Sequence, residues 1–149
     1  MRLQALFKAD IELAPAQELG AGPLGRRRII AITGGRFVGE RLSGRVLPGG
    51  ADWQVIRADG VAELDARYTL ETADGALIYV RNHGFRHGPA EVLKRLAAGE
   101  NIDPAQYYMR TTPLFETGDE RYAWLNGVVC VASGARRPAA VELEVFEVL

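Results

Sequence analysis

The stretch VAELDARYTLETADGALIYVRNHG, from Val61 to Gly84, alternates apolar and polar residues along most of its length. An alternation with a period of two is typical of a half-buried β-strand, because the apolar residues of a helix recur every three or four positions. Asp74-Gly75 interrupts the pattern. This dipeptide favours a two-residue hairpin turn with positive φ at both positions. The stretch therefore predicts two antiparallel strands joined by a hairpin.

The same alternation continues toward both ends of the chain. Residues 1–13, MRLQALFKADIEL, alternate with Leu6 as the exception. A second hairpin is predicted at Asp59-Gly60, and LPGGAD is a turn by composition. Further strands are predicted in RRRIIAIT, RFVGERLSGRVL, WQVIRA, QYYMRTTPLFET, RYAWLNGVVCVA and AAVELEVFEVL. One helix is predicted in GPAEVLKRLAAGE, where Pro89 suits the first turn and Gly99 the C-terminal cap.

Eight to nine strands with short connections leave two sheet edges unless the sheet closes or pairs. We therefore predict an all-β fold, an antiparallel β-barrel of about eight to nine strands with one short helix. A two-sheet sandwich is the main alternative. The chain has 149 residues, which suits one domain that spans residues 1–149.

Composition narrows the function classes. The formal net charge is −1, with 18 Lys and Arg against 19 Asp and Glu. This balance gives no electrostatic reason to expect nucleic acid or an anionic membrane as a partner. The single cysteine, Cys130, cannot form an internal disulfide, so we expect a reducing, cytoplasmic location. No run of ~18 apolar residues is present to span a membrane.

Several segments resemble the bacterial and fungal domain-of-unknown-function family 3237. They are GGRFVGERLSGRVLPGGADW, DARYTLETADGALIYVRNHG, YYMRTTPLFET and YAWLN. The resemblance runs from Leu3 to Val148, and Glu40 departs from it where proline is expected. It implies a β-barrel-like fold and frequent self-association, with a homodimer favoured, and it implies no cofactor.

His83 and His87, the only histidines, do not predict a metal site. Gly84, Gly88 and Pro89 disfavour a helix that would place both on one face. On a strand, residues four apart lie about 13 Å from each other, which is too far to share one ion. We predict that they are solvated residues at a strand exit. Cys130, among small apolar neighbours, is predicted to be a small buried hydrophobe.

The sequence predicts a ligand cavity inside the barrel, because barrels of about eight strands have room for side chains or one small ligand. Such a cavity has aromatic walls and a few placed polar groups. The predicted walls are Trp53, Tyr68, Tyr79, Phe115 and Trp124, and the predicted polar groups are Arg81, Arg110 and Asn126. The alternative is that the polar rows of these strands are the solvated outer face of the barrel, with ordinary surface ion pairs. An interior arginine needs an anion, and the candidates are Asp52, Asp65 and Glu116.

Three functions remain open at this point. The first is binding of a small organic molecule in the barrel interior, with Arg110 pointing inward. The second is a cofactor-independent isomerase, cyclase or hydrolase that uses the same cavity, with a carboxyl group to move a proton and an arginine to stabilise negative charge. The third is a structural, self-associating module. A raised carboxyl pKa inside the cavity favours the second.

Overall fold

In a computed structural model that describes residues 1–149, the chain forms a closed antiparallel β-barrel. Ten strands account for most of the chain: β1 Leu3–Leu13, β2 Gln17–Gly22, β3 Gly25–Val38, β4 Ser43–Val46, β5 Gly50–Ile56, β6 Ala62–Thr72, β7 Leu77–His87, β8 Tyr108–Glu116, β9 Cys130–Arg137 and β10 Ala140–Val148. One α-helix, α1, spans Ala90–Ala97, and two 3₁₀ helices span Pro104–Gln106 and Glu120–Gly127.

The first strand closes the barrel. It pairs antiparallel with β10 on one side, where Leu3 lies opposite Val148, and with β3 on the other, where Lys8 lies opposite Val38. β4 and β5 both pair with β3 and β6, so they share one position in the wall. β2 pairs only with β3. The predicted all-β antiparallel barrel is confirmed, with eight positions around the wall, and closure removes the sheet edges that an open sheet would expose.

A β-bulge explains the one exception to the alternation of the N-terminal strand. The pairing of β1 with β10 shifts register between Ala5 and Phe7. The extra residue that a bulge inserts lets two successive side chains turn toward the same face. Leu6 and Phe7 are accordingly both buried in the barrel core.

Residues 25–38 form one long strand, although the sequence predicted one strand at 26–33 and another that starts at Arg36. The wall passes this point without a break because Gly35 lets β1 approach closely. A β-carbon on Gly35 would meet the carbonyl oxygen of Asp10 and lie 3.1 Å from its carbonyl carbon. Of the rest of the second predicted strand, only Ser43–Val46 is a strand, β4.

Both predicted hairpins are present, but their turn geometry differs from the prediction. No residue other than glycine has positive φ, and φ is 85° at Gly60 and 92° at Gly75. The backbone N–H of Gly75 donates to the carbonyl oxygen of Thr72 at 3.0 Å. Asp74 therefore turns with ordinary φ and only the glycine takes the left-handed position, as in a turn followed by a glycine bulge. The expectation of positive φ at both positions was wrong.

The segment YAWLN, predicted as a strand, belongs to the 3₁₀ helix Glu120–Gly127. The Asn126 side chain holds this helix to the end of β8. It accepts a hydrogen bond from the N–H of Thr117 at 2.8 Å and donates one to the carbonyl oxygen of Thr117 at 2.9 Å. Leu125 is fully buried in the barrel core. The predicted strand face through Trp124 therefore does not exist.

The predicted helix is confirmed as α1, which starts directly after Pro89 and ends shortly before Gly99, where φ is 86°. It has eight residues, and no helix of the protein reaches the length and apolar character that crossing a membrane requires. Val92 and Leu96 of α1 pack on a small apolar cluster at one end of the barrel.

The barrel core consists of two apolar clusters. The larger includes Phe7, Phe37 and Phe115 and extends to Leu125 of the 3₁₀ helix. The smaller, next to α1, contains Ala62, Leu64, Ile102, Tyr107 and Met109. Residues of both clusters line one internal cavity, which therefore lies between them.

Candidate functional site

The cavity between the two clusters contains most of the buried polar side chains of the barrel. With the half-buried Asp52 and Arg136, they lie on the inward faces of β5, β7, β8 and β9. Together we call these six residues the interior polar cluster: Asp52, Gln54, Asn82, Arg86, Thr111 and Arg136. The strand register gathers them. Asp52 pairs with Ala66 and Ala66 pairs with Asn82 across β5, β6 and β7.

The cavity is small. Its volume is about 50 Å³, whereas pockets for drug-sized ligands measure about 300–1,000 Å³. One water molecule needs about 10–15 Å³ of such space, so the cavity holds a group the size of a few waters. Leu13, Arg136 and Val141 in its lining are only half-buried, so it approaches the surface between β1 and the β9–β10 turn.

Gln54 connects the charged groups of the cluster. Its side-chain oxygen accepts hydrogen bonds from Nη1 of Arg28 at 2.9 Å and from Nη2 of Arg86 at 3.3 Å. Its Nε2 donates to Oδ2 of Asp52 at 3.1 Å. Because both arginines donate to the oxygen, the amide nitrogen must face the carboxyl group. Gln54 is 1% exposed, so this orientation is held inside the barrel.

Arg86 is a buried cation without a carboxylate partner. It is 9% exposed, the only hydrogen bond of its side chain is the one to Gln54, and no carboxylate oxygen lies within 4.0 Å of its guanidinium. Burial, followed by repulsion from Arg136, lowers the pKa of Arg86 to about 10. A buried charge normally has a partner, so this residue is an exception to explain.

Asp52 is the one carboxyl group that faces the cavity. Its Oδ1 accepts the backbone N–H of Asp65 at 2.8 Å. Burial raises the pKa of Asp52, and the hydrogen bonds from Asp65 and Gln54 and the charge of Arg86 only partly offset that effect. Desolvation disfavours the ionised form, so this carboxyl group holds its proton at a higher pH than an exposed aspartate does.

Two buried polar atoms in the cluster have no hydrogen-bond partner within the protein, Oδ1 of Asn82 and Oγ1 of Thr111. Gly84 brings their strands together. A β-carbon on Gly84 would meet the carbonyl oxygen of Arg110 and lie 2.6 Å from the α-carbon of Thr111. Buried polar groups without partners are rare in native proteins and often mark a site that receives another molecule.

Tyr68 and Asp52 lie where the sequence predicted interior residues. Tyr68 is 5% exposed and lines the cavity, and burial raises the pKa of its hydroxyl group. Asp52 was one of three candidates to balance an interior arginine. Phe115 is buried in the larger apolar cluster and not in the cavity lining.

The inward orientation predicted for Arg110 is wrong. Arg110 is exposed, its Nη1 donates to the carbonyl oxygen of Met109 at 2.9 Å, and its guanidinium lies 5.5 Å from the centre of the Tyr108 ring. Met109 and Thr111 on either side are buried, so the alternation of β8 turns Arg110 outward. Glu116, on the same face of the strand, is exposed for the same reason.

The other predicted polar and aromatic residues also lie outside the cavity. Arg81 is exposed on β7, and Asp65 lies half-exposed on β6, 3.9 Å from Arg67. Trp53 is 38% exposed because Asp52 and Gln54 on either side of it face inward. Tyr79 is half-buried on the outer surface near Trp53.

Trp124 and Asn126 lie on the 3₁₀ helix rather than on a strand of the wall. The guanidinium of Arg41 stacks 3.5 Å from the centre of the Trp124 ring. The side chain of Asn126 forms its hydrogen bonds with the backbone of Thr117. Neither lines the cavity.

The histidines and the cysteine lie outside the cluster. His83 lies in the middle of β7 and only His87 is at its end, so the predicted strand exit applies to one of them. Both are exposed; His83 packs against Phe85 and His87 stacks on Tyr108. Burial raises the pKa of the Cys130 thiol to about 11, as for an unreactive buried cysteine.

Sequence reasoning missed Gln54, Asn82, Arg86, Thr111 and Arg136. A signal for two of them was available in β7, because Asn82 and Arg86 are in phase with the apolar residues Ile78 and Val80. Polar residues on the apolar face of a strand point into the core. The alternation was instead interpreted with the polar face as the candidate lining.

Fold and cavity define a class of small, closed antiparallel barrels with a polar internal site. The chain belongs to the family described as "Protein of unknown function (DUF3237)", whose model matches residues 1–148. This confirms the resemblance. The chain is 48% identical over 138 residues to a UPF0311 protein of Rhodopseudomonas palustris, covering 93% of this chain and 88% of that protein.

Solved structures of similar proteins have the same fold. The crystal structure of a β-barrel-like protein from Acinetobacter baumannii has a TM-score of 0.86 and 49% identity, covering 98% of this chain and 94% of the other. A more distant relative is a hydroalkoxylation enzyme of Penicillium herquei, 29% identical over 85% of this chain and 69% of the enzyme. The structure of an enzyme from that fungus has a TM-score of 0.75 and 25% identity, covering 99% of this chain and 94% of the other.

Proposed function

We propose that the interior polar cluster binds the reactive end of a small organic molecule and that Asp52 transfers a proton to or from it. The proposal is a cofactor-independent isomerase, cyclase or related enzyme of the cytoplasm. One observation carries it: a carboxyl group and an arginine without a carboxylate partner face the same cavity, with Gln54 between them. An ordinary structural pair would be in direct contact.

The two groups have complementary chemical roles. A carboxyl group with a raised pKa keeps its proton closer to neutral pH, where proton transfer in both directions is efficient. A guanidinium held in a low-dielectric site stabilises an oxygen that becomes negatively charged, such as an enolate or phenolate oxygen. Together they fit reactions in which a proton moves to or from carbon while charge builds on a nearby oxygen.

The fungal relative supports the enzyme alternative over binding alone. Hydroalkoxylation adds an O–H group across a C=C bond: oxygen forms a C–O bond to one carbon, and a proton adds to the other. The hydroxyl proton is lost and a proton is gained, so the net reaction needs an acid–base group and no oxidant. Asp52 is the group in the cavity that is able to serve as both.

Solvent-proton exchange tests this proposal without knowledge of the substrate. Phenols, 1,3-dicarbonyl compounds and hydroxyalkenes are incubated with the protein in D₂O, and deuterium incorporation at carbon is followed by NMR. We expect exchange in at least one compound class, with loss in Asp52→Asn and no change in Glu116→Gln, which alters an exposed carboxylate. Exchange that is equal in wild type and Asp52→Asn, or absent throughout, contradicts the proposal.

A second candidate role is self-association through the outer surface. Leu3, Phe85 and Tyr108 are 59%, 38% and 46% exposed and, with Phe146, line one apolar groove on the outside of the wall. Contiguous exposed apolar surface often marks a protein interface. We propose a homodimer that buries this groove. Sedimentation of wild type and Phe85→Glu tests it, and a monomeric wild type contradicts it.

A further inference from the structure

The interior polar cluster has more hydrogen-bond donors than acceptors for them. Arg86 carries five N–H donors and makes a single hydrogen bond, at 3.3 Å to Gln54. The guanidinium of Arg136 donates only through Nη1, to the carbonyl oxygens of Arg137 and Ala140. A ligand that fills the cavity therefore meets unused guanidinium donors, which bind carboxylate oxygens best.

The local charge balance also favours an anion. Arg86 and Arg136 line the cavity, Arg28 donates to Gln54 in its wall, and Asp52 is the only acid that faces it. Glu18 forms an ion pair with Arg28 at 2.8 Å from the outer side. The two other arginines have no carboxylate within ion-pair distance, so the interior carries excess positive charge that a bound anion would neutralise.

A carboxylate alone would leave one buried group unsatisfied. Oγ1 of Thr111 can donate to an anionic oxygen, but Oδ1 of Asn82 is an acceptor and needs a donor. Thr111 pairs with Gly84, and Asn82 and Arg86 lie two residues before and after Gly84 along β7. Thr111 is thus diagonal to both, about 7–8 Å away between α-carbons. The side chains of Thr111 and Asn82 cover most of this separation, and a hydroxyl group on the carbon next to a carboxylate bridges the remainder.

We propose that the site recognises the hydroxycarboxylate end of a small organic molecule. Its carboxylate accepts hydrogen bonds from Arg86 and Thr111, and its hydroxyl donates to Asn82. This assignment rests on the proposed function in that it takes the same cavity as the ligand site. The cavity volume of about 50 Å³ suits this head group, and the remainder of the molecule extends past Arg136 toward the surface.

Three probes of matched size separate the contributions: 2-hydroxypropanoate, propanoate, which lacks the hydroxyl group, and propane-1,2-diol, which lacks the carboxylate. Affinities are measured by NMR titration of the whole chain. We expect 2-hydroxypropanoate to bind most tightly, propanoate more weakly and the diol not at all. A diol that binds as well as 2-hydroxypropanoate overturns the proposal. So does chloride or phosphate that competes equally well, since the site would then accept any anion.

Variants assign the contacts. Arg86→Met should weaken 2-hydroxypropanoate binding by about tenfold or more, as expected for a lost charge-assisted hydrogen bond. Thr111→Val, which keeps the side-chain shape, should weaken both acids. Asn82→Leu should abolish the preference for 2-hydroxypropanoate over propanoate. Arg110→Met, on the outer surface, should bind like wild type. Unchanged binding in both Arg86→Met and Thr111→Val overturns the assignment.

The two proposals fail in different ways. If Asp52→Asn and wild type bind 2-hydroxypropanoate alike but no compound undergoes proton exchange, the ligand class stands and proton transfer by Asp52 is wrong. If proton exchange depends on Asp52 but 2-hydroxypropanoate neither binds nor inhibits it, proton transfer stands and the ligand class is wrong.

Discussion

Replacing Arg86 with methionine should stabilise the protein while it impairs ligand binding. Arg86 is 9% exposed and has no carboxylate partner, so the folded state bears most of the cost of burying its charge. Burial lowers its pKa from the ordinary value of an arginine to about 10, which reflects that cost. At about 1.4 kcal/mol for each tenfold change in acidity, the cost is roughly 3 kcal/mol.

Two losses offset part of the stability gained by removing the buried charge of Arg86. The hydrogen bond to Gln54 is worth about 1 kcal/mol, although Arg28 still donates to the same oxygen at 2.9 Å. Asp52 loses a nearby positive charge, but it can respond by holding its proton. Methionine keeps much of the apolar stem in the core. We expect a net stabilisation of about 1–2 kcal/mol, or roughly 2–8 °C in Tm for a chain of this size.

The pH dependence gives the sign of the effect independently. The folded-state pKa of Arg86 lies below its unfolded value, so the cost is fully present below about pH 10 and declines as the pH rises toward the unfolded value. Urea denaturation at pH 7 should therefore show the full gain, and the gain should shrink above pH 10.

Arg110→Met is the matched control for this substitution. Arg110 is exposed, so its replacement should change stability by less than about 0.5 kcal/mol. If Arg86→Met instead lowers the free energy of unfolding by 1 kcal/mol or more, Arg86 is a satisfied structural cation and the argument for a ligand in the cavity is refuted.

Four further predictions concern single positions. Gly75→Val should lower the free energy of unfolding by at least ~1 kcal/mol through backbone strain at φ 92°. Gly118→Val is the control, because Gly118 has open space around it and no positive φ, and it should leave the urea midpoint nearly unchanged. Equal urea midpoints for the two variants would refute the turn assignment. Gly84→Ala should destabilise by about 1–3 kcal/mol, because its β-carbon would overlap β8; a thermal melt like that of wild type would mean that the strands can separate freely. Asp52→Asn should gain stability relative to wild type as the pH rises above about 4, because the raised pKa of Asp52 makes its ionisation costly in the folded state; a difference in urea midpoint that stays constant between pH 3 and pH 7 would contradict this. Protein purified without an affinity tag should contain no stoichiometric zinc, iron or copper by elemental analysis. Stoichiometric metal that is lost when His83 or His87 is replaced would contradict this prediction.

The local alternation of apolar and polar residues was sufficient to predict most of the strands. The alternation of residues 62–72 and 77–87 predicted β6 and β7, and Gly75 predicted the turn between them. These signals are local, because side-chain direction in a strand depends only on sequence parity. The strand predicted in YAWLN was wrong because this segment forms a 3₁₀ helix that depends on contacts of Asn126 with Thr117. No short window of sequence shows such contacts.

The sequence by itself determined which residues share a face of each strand, and through the number of strands it favoured a closed barrel over a two-sheet sandwich. Only the tertiary structure decided which face is inside. In β8, Arg110 and Thr111 both lie among polar and aromatic neighbours, yet only Thr111 is buried. The choice is made by closure: β1 pairs with both β3 and β10, and the apolar faces of the strands in the closed wall then turn inward, away from water. Asn82 and Arg86 are polar residues on the same strand face as the apolar residues, so they also point into the barrel.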